Sequence, residues 1–565
     1  MQLTNWLLLL GGLGMFLYGM SVMGDGLELA AGPRLRTLME KLTKNKFRGV
    51  LVGAGTTSII QSSSATTVMV VGFVNAGIIT LYQAVGVIMG ANIGTTVTGI
   101  MISIKIDIVA PIILFLGVAL VMIKSFSKIR YYAQIMIGFG LLFMGLTLMK
   151  DAMIPLATDP TFTSLVARFT NPFLAVLAGA GITAVIQSSS ASVGILQALA
   201  SQGGLPLDTT AFILFGQNIG TCVTALLASI GTSKTARRAA VVHLLFNVIG
   251  TVLFMAIILV PRLFGIPTLI ELIEQFLPSG TWNAAHTVFT PGMEMAQIAA
   301  IHVVFNVVNT TLLLPFSNLL VRASTFLVPG KDKVEIAPLR LEFLDKLILS
   351  TPSVAVLQVI KETERMALTA RENINLAIAL LFNPNAKHKE DTIRQSYENE
   401  KLLNYLNDQI TEYLIHINAL ELGDDDSQKT GSLFHVVNDL ERIGDHCENL
   451  VELSQQLNAQ DMKFSEGAVQ ELQKVIDKVM NMVNGAIKVF DEEQFTPELL
   501  DHLDFWEEEV DLMTAEFKQN HIERLNKHIC SPKVGMAFIE ALTNLERIAD
   551  HATNIAFSDK NSAYK

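Results

Sequence analysis

Two segments of the chain carry nearly the same run of small polar residues. Gly53-Ala-Gly-Thr-Thr-Ser-Ile-Ile-Gln-Ser-Ser-Ser-Ala65 matches Gly179-Ala-Gly-Ile-Thr-Ala-Val-Ile-Gln-Ser-Ser-Ser-Ala191 at an offset of 126 residues. Without a gap, the same offset carries Gly90-Ala-Asn-Ile-Gly-Thr-Thr-Val-Thr98 onto Gly216-Gln-Asn-Ile-Gly-Thr-Cys-Val-Thr224. No charged residue lies between Gly49 and Ile104, and Asp208 is the only one between Pro172 and Ser233. Hydroxyls and amides without side-chain charge can hold ions in two ways. Backbone N–H groups at a helix start, where the helix dipole is positive and Ser caps and donates, suit an anion. Carbonyl and hydroxyl oxygens of unwound turns, expected at Gln-Ser-Ser-Ser and at Asn-Ile-Gly-Thr, suit a cation such as sodium. One copy alone would read as a close-packing stripe in a membrane helix. Two copies with identical internal spacing point instead to a shared binding site.

Such a site needs elements that hold it away from water. The chain has 565 residues, 50% of them hydrophobic and 16% charged, with a mean hydropathy of +0.44, which places at least part of it in a bilayer. The apolar residues sit in the first 325 positions. After Lys331 the sequence becomes charged, with acidic runs at Asp424-Asp425-Asp426 and Glu507-Glu508-Glu509. The division predicted is a membrane domain over 1–325, a linker over 326–344 and a helical domain over 345–560. The net charge of −11 belongs largely to that last part and argues against a nucleic-acid partner. Cys222, Cys447 and Cys530 are odd in number and far apart, so no disulfide framework or zinc site is expected, and a reducing cytosol suits the second domain. No Lys or Arg precedes Arg34, so the basic start of a cleaved signal peptide is missing. No nucleophile, general base or cofactor loop stands out, and the chain reads as a protein other than an enzyme.

Stretches long enough to cross roughly 30 Å of hydrocarbon occur near 5–24, 81–103, 107–123, 131–149, 208–230, 239–260 and 297–320, giving seven expected crossings. Lys and Arg cluster at 34–48, at 124–130, at 234–238 and after Arg322, which assigns those loops to the cytoplasm. The 150–171 and 263–295 loops and the N-terminus then lie outside, and the C-terminal domain is cytoplasmic. Segments 49–79 and 172–205 must each return to the side they came from, so both are expected to be re-entrant hairpins whose tips line a cavity, because lipid cannot satisfy irregular backbone. Three crossings between them would invert the second copy relative to the first. The fold class expected is all-α, a polytopic membrane protein with inverted repeats, joined to a helical bundle.

The paired Gln-Ser-Ser-Ser and Asn-Ile-Gly-Thr segments resemble the sodium/phosphate cotransporter family shared by bacteria and animals, over nearly all of residues 1–325. By motif match the resemblance implies binding of inorganic phosphate and sodium by Gln61, Ser62, Ser63, Ser64, Gln187, Ser188, Ser189 and Ser190, with Thr66 and Ser192 just beyond. Asn92, Thr95, Asn218 and Thr221 match as sodium-binding or hairpin-supporting positions. It implies sodium-coupled phosphate symport across the inner membrane. Two further readings stay open: an exporter or carrier of another tetrahedral oxyanion, and a membrane-anchored signalling protein that no longer transports. In a site without Lys or Arg a dianion and sodium need each other, since a charge pair about 4 Å apart gains on the order of 4 kcal/mol at an effective dielectric near 20. His243-Leu-Leu-Phe-Asn247 and His302-Val-Val-Phe-Asn306 form another internal echo, with two readings: residues touching the transport path, or, as is commoner for a membrane His, interhelical hydrogen-bonding residues.

The second domain also looks doubled, since Asn438-Asp-Leu-Glu-Arg-Ile-Gly-Asp-His-Cys-Glu-Asn449 returns as Thr543-Asn-Leu-Glu-Arg-Ile-Ala-Asp-His-Ala-Thr-Asn554, which predicts two similar three-helix units. Glu441 with Asp445, and Glu546 with Asp550, put two carboxylates one turn apart, which asks for a compensating cation. Arg442 and Arg547 are one candidate, and an oxygen-ligated divalent metal is the other. The motif resembles the PhoU family of phosphate-signalling proteins, over roughly 345–560. That resemblance implies a regulatory domain with phosphate-signalling partners and clustered metal, divalent or iron-type, at Glu441, Asp445, Glu507, Asp511, Glu546 and Asp550. The first half departs from the pattern, with Asn404-Tyr-Leu-Asn-Asp408 placing Asn where the leading acid belongs. A homo-oligomer is compatible with this sequence.

Overall fold

The computed structural model describes residues 3–40, 45–104, 106, 108–122, 127–157, 171–282, 289–330, 339–382, 389–488 and 496–558. The predicted loops at 34–48, 124–130, 150–171 and 263–295 and the linker at 326–344 lie partly outside these residues. The described residues form two compact units, one made of 3–330 with Asp345–Val354 and the other of 339–344 with 355–558. Both are helical, as expected. Among the described residues the only strands are β1 (Thr281–Trp282) and β2 (Phe289–Thr290), a two-residue antiparallel ladder.

In the first unit the order is α1 (Leu3–Glu40), α2 (Lys46–Ile60), α3 (Ser63–Asn75), α4 (Leu81–Ser103), α5 (Ala110–Met122), α6 (Ser127–Ala157), α7 (Pro172–Ile186), α8 (Ser189–Ala200), α9 (Leu207–Ala228), α10 (Lys234–Leu263), α11 (Leu269–Phe276), α12 (Glu294–Leu313) and α13 (Ser317–Leu327). Among the described residues six helices are long and apolar enough to cross a membrane: α1, α4, α6, α9, α10 and α12. Large apolar side chains such as Leu7, Phe115, Val185 and Phe276 face outward, as a hydrocarbon solvent requires.

Two expected crossings differ. The 107–123 stretch forms the 13-residue α5, about 20 Å long and short of the roughly 30 Å needed. Two full-length candidates and this short helix therefore separate the repeats, rather than three full-length spans. The 297–320 stretch is broken, because α12 stops at Leu313 and α13 begins at Ser317. Pro315 stands between them and cannot continue a helix, since it lacks an N–H and its ring collides with the preceding turn.

Small residues bring these helices together. A Cβ on Gly12 would lie 2.9 Å from the Gly145 carbonyl oxygen, and one on Gly19 would lie 2.7 Å from that of Gly138, so α1 and α6 touch backbone to backbone. The same holds inside each repeat. Gly53 abuts the Val87 carbonyl and Gly90 that of Val50, joining α2 to α4, while Gly179 abuts Ile213 and Gly216 abuts Val176, joining α7 to α9.

Contacts gather three basic segments near one another. Lys46 Nζ donates to the Leu314 carbonyl at 3.0 Å and to Ser317 Oγ at 3.1 Å, and Arg238 Nε donates to the Val328 carbonyl at 3.1 Å. Asn75, at the end of α3, accepts from the Ser233 N–H at 2.8 Å and donates to Asp345 at 2.6 Å.

The second unit contains α14 (Pro352–Phe382) from Ala355 onward, α15 (Lys389–Asn418), α16 (Asp424–Ala459), α17 (Glu466–Lys488), α18 (Pro497–Asn526) and α19 (Pro532–Phe557). These are two sets of three helices. In α16, Leu433, Val436, Val437, Leu440, Ile443, Cys447 and Leu450 recur at three and four and are buried. Ser531 caps α19 through the Val534 N–H, and Pro532 at the first helical position is pre-set for the turn.

Candidate functional site

Each repeat is broken at its glutamine. Gln61 closes α2 in the left-handed conformation (φ 58°, ψ 18°), and Gln187 closes α7 in the same way (φ 58°, ψ 20°). That conformation costs a non-glycine residue about 1–2 kcal/mol, so the break is imposed by its surroundings. Ser62 and Ser188 follow as extended N-caps, and their hydroxyls accept from the Ala65 and Ala191 N–H groups at 3.1 and 3.2 Å. The first two helical residues of α3 and α8, Ser63 with Ser64 and Ser189 with Ser190, then have N–H groups with no acceptor inside the helix.

These two helix starts face each other. Ser63 Oγ and Ser189 Oγ lie 3.3 Å apart, both side chains buried. Ser64 Oγ donates to the Gln187 carbonyl at 3.4 Å. From the other side Ser190 Oγ donates to Thr98 Oγ1 at 3.3 Å, and Thr98 donates to Gln61 Oε1 at 2.8 Å. Gln61 Nε2 is held on the Ser58 carbonyl at 2.5 Å. Segments 126 residues apart in sequence thus meet at one point where two helix dipoles, each about half a positive charge, converge with no charged side chain from either repeat. Such N–H and O–H donors, flanked by the carbonyl oxygens of the two breaks, can act as a cradle for an anion.

Thr66 belongs to the support of this cradle, accepting from Thr57 Oγ1 and donating to the Ser62 carbonyl, both at 3.0 Å. Ser192, its counterpart, has a buried hydroxyl without a partner among the described residues. The Asn-Ile-Gly-Thr segments are not unwound. Asn92 and Thr95 lie inside continuous α4, and Asn218 and Thr221 inside continuous α9. Their side chains donate one turn back along their own helix, Asn92 to Ile88, Thr95 to Ala91, Asn218 to Leu214 and Thr221 to Gln217, at 2.9–3.1 Å. Back-bonding satisfies these polar groups without breaking the helix. Gly94 and Gly220 within them let α2 and α7 approach closely, meeting the Ala54 and Ala180 carbonyls.

Sequence reasoning missed Thr98 and Thr57. Thr98 sits at the end of the repeated nine-residue block, and its partners Gln61 and Ser190 are 37 and 92 residues away. His243 and His302 are buried, and Asn247 and Asn306 donate to their backbone carbonyls at 3.2 and 2.9 Å. Asn247 also reaches Cys222 Sγ at 3.3 Å, a link between α10 and α9.

In the second unit the repeated motif pairs with itself. His446 Nδ1 lies 2.9 Å from Asn544 Oδ1, and at the equivalent positions His551 Nδ1 lies 2.8 Å from Asp439 Oδ1, with the two rings 5.6 Å apart. The six acids expected to hold metal do not form such a centre. Among the described residues no group of three or more His, Cys, Asp or Glu side chains is arranged to hold a metal ion. Cations of the chain compensate several of them: Arg442 lies 3.2 Å from Asp445 and 3.8 Å from Glu441, Lys518 lies 2.8 Å from Glu546, and Arg547 lies 3.2 Å from Asp550. Burial and then Asp445 push Glu441 upward, burial and then Asp550 and Asp511 push Glu507 upward, and burial raises Asp550 despite Arg547. Glu400, one turn before Asn404, was not foreseen. Burial, followed by Asp445, Glu448 and Glu441, pushes its carboxyl up to about 7, and it packs against Gly444, where a Cβ would strike it.

Comparison with known proteins bears on both units. Residues 15–151 and 152–265 match the family described as Na+/Pi-cotransporter, and residues 363–454 and 472–558 match the PhoU domain. The chain is 30% identical over 317 residues to YqeW of Bacillus subtilis, an uncharacterized protein, covering 56% of this chain and 96% of that one. It is 23% identical over 556 residues to YjbB of Escherichia coli, a candidate inorganic phosphate export protein, covering 97% and 96%. A stretch of 86 residues is 41% identical to human sodium-dependent phosphate transport protein 2C, covering 14% of each. Among solved structures, PhoU from Pseudomonas aeruginosa covers 36% of this chain and 95% of its own, at 23% identity and a TM-score of 0.34. With glycine-packed helix pairs broken at Gln-Ser-Ser-Ser in both halves, the chain belongs to the Na+/Pi-cotransporter family of membrane phosphate transporters and carries a PhoU domain.

Proposed function

We propose that the chain moves inorganic phosphate across the cytoplasmic membrane together with sodium, binding both between the starts of α3 and α8. The observation that carries this reading is the 3.3 Å approach of Ser63 and Ser189 at two facing helix N-termini. Gln61, Ser62, Ser63, Ser64, Gln187, Ser188, Ser189 and Ser190 form the phosphate shell, with Thr66 and Ser192 behind it. With no Lys or Arg in either repeat segment, phosphate needs a cation beside it, and the carbonyl oxygens of the broken turns suit sodium. Asn92, Thr95, Asn218 and Thr221 act as hairpin supports.

Each hairpin is re-entrant in this reading. Its arms, 15 and 13 residues in the first and 15 and 12 in the second, are about 18–23 Å long and too short to cross roughly 30 Å of hydrocarbon singly. The neighbourhood of Lys46, Asn75, Arg238 and the α12–α13 break supports one cytoplasmic end for α2 and α3. Inversion of the second repeat needs an odd number of crossings between the hairpins, so this reading requires the apolar stretch around α5, packed on α6 through Gly117 and Gly140, to cross together with its flanking residues, since α5 alone is no longer than a hairpin arm. The helical unit from 355 onward is a regulatory domain acting through protein contacts or its own ion pairs. Its acids do not fit a metal centre, and no role is assigned to metal.

Flux of labelled phosphate in proteoliposomes, with the sodium gradient imposed in either direction, tests the proposal. Flux that follows the sodium gradient and is not displaced by sulfate supports it, and flux indifferent to sodium sinks the coupling. Net export is the second reading, favoured by full-length likeness to YjbB; it predicts efflux against an inward sodium gradient.

A further inference from the structure

The two repeats share a backbone but not a hydrogen-bond pattern. Their breaks agree within 2° in φ and ψ, and the glycine contacts that join α2 to α4 recur between α7 and α9. In the first repeat the polar groups are paired: Thr98 with Gln61, Thr57 with Thr66, and Ser190 with Thr98. Moving each residue to its counterpart at the offset of 126 gives Thr224 with Gln187, Thr183 with Ser192, and Ser64 with Thr224. None of these bonds is made. The hydroxyls of Thr224, Thr183 and Ser192 are all buried without a partner among the described residues. Gln187 is exposed, whereas Gln61 is only 8% exposed. Ser64, instead of reaching Thr224, donates to the Gln187 carbonyl.

Buried hydroxyls are rarely left unpaired, and three on one repeat, each equivalent to a bonded group on the other, are an unmade set rather than scattered exceptions. Equal backbones mean that making the set requires rotation of side chains and a shift of α8 against α7 and α9, with no refolding of the break. A protein of two like halves that exchanges their conformations has two states, each the mirror of the other in its bonding.

We propose that Thr224 is the docking position of Gln187 in a second conformation, in which Thr224 donates to Gln187 and accepts from Ser64 while Thr98 releases Gln61 and Ser190. Thr98 and Thr224 are thus positioning residues that hold the two binding-site glutamines in turn, one glutamine anchored and the other free in each state. The proposal rests on the shared site described under the proposed function, and it names the residues whose bonding distinguishes the two orientations.

The test uses the full chain in proteoliposomes, with inorganic phosphate and sodium as probes. Thr224→Val removes the hydroxyl at constant shape. It is expected to slow net phosphate flux by about tenfold, the effect of one lost hydrogen bond on one of two states, while equilibrium phosphate binding changes by less than about twofold. Thr224→Ser restores flux. In a Cys222→Thr, Cys447→Ser, Cys530→Ser background, the pair Gln61→Cys/Thr98→Cys and the pair Gln187→Cys/Thr224→Cys should both form disulfides, each trapping one state. Formation of the first pair without the second, or unchanged flux in Thr224→Val, overturns the proposal. So does a Thr224→Val protein with normal maximal flux but a sodium requirement raised about tenfold, which would make Thr224 a cation ligand. Disulfide trapping does not depend on the substrate, so wild-type vesicles that carry no phosphate would refute the proposed function while leaving the glutamine exchange to be judged by its disulfides.

Discussion

Removal of the Ser63 and Ser189 hydroxyls, singly and together, probes the site at its centre. Each hydroxyl is nearly buried, at 4% and 6% exposure, and each is 3.3 Å from the other. A hydrogen bond to a charged group contributes about 1.5–3 kcal/mol, so Ser63→Ala and Ser189→Ala should each weaken phosphate binding by roughly 10- to 150-fold at 1.4 kcal/mol per decade. Because the two hydroxyls bond each other here and must turn to the anion on binding, each single variant spares the cost of breaking that neutral bond, and the double variant spares it only once. It should exceed the product of the single effects by about 1 kcal/mol, close to fivefold. Equilibrium binding of labelled phosphate to purified protein in saturating sodium measures all three constants. Strict additivity would mean that the hydroxyls serve separate ligands, and a loss confined to one serine would mean that the two helix starts do not share an anion. Either result refutes the cradle.

Three further outcomes follow from described contacts. Replacing a left-handed glutamine by glycine relieves about 1 kcal/mol of backbone strain, but only Gln61 also gives up bonds to Thr98 and Ser58; Gln187→Gly should therefore melt higher than Gln61→Gly in a thermal scan. Gly179→Ala drives a methyl into the Ile213 carbonyl and should destabilise the first unit by about 3 kcal/mol or more, seen as a lower melting temperature, with Gly53→Ala behaving alike. Glu400 has a carboxyl raised from 4.5 to about 7, so its ionisation weakens the folded domain as pH rises from about 4.5 through about 7, and Glu400→Gln should leave stability unchanged near pH 4 yet raise it by about 1–3 kcal/mol at pH 8. Denaturant titration at both pH values checks the sign, and a larger gain at the acidic value would contradict it.

Which features could be read from the sequence follows from which forces are local. The helix breaks were legible because a run of serines offers a strong N-cap in the middle of an apolar stretch, and because a repeated string shows itself. The unwinding expected at Asn92 and Asn218 was not found, since a buried polar side chain can bond its own helix one turn back and a sequence does not announce that choice. The break after Leu313 was hidden by a mostly apolar run, Leu313-Leu-Pro-Phe-Ser-Asn-Leu-Leu320, that continues past Pro315. Glu400 escaped because Asn404 occupied the position where an acid was sought, although the neighbouring turn supplies one. The unequal bonding of the two glutamines could not be read at all: their local sequences are the same, and the difference lies in tertiary packing alone.

The glycine contacts between α2 and α4, and between α7 and α9, have a mechanical consequence. Backbone resting on backbone cannot slide without collision, so each pair behaves as one stiff plate. The proposed motion is then left to α3 and α8, whose Gly72 and Gly194 rest on the side chains of Leu347 and Phe16 rather than on backbone, and the left-handed glutamine before each is where the chain would bend. A small displacement at that bend would be carried along the full length of the arm, with the proposed ion site lying next to the fulcrum, where travel is least.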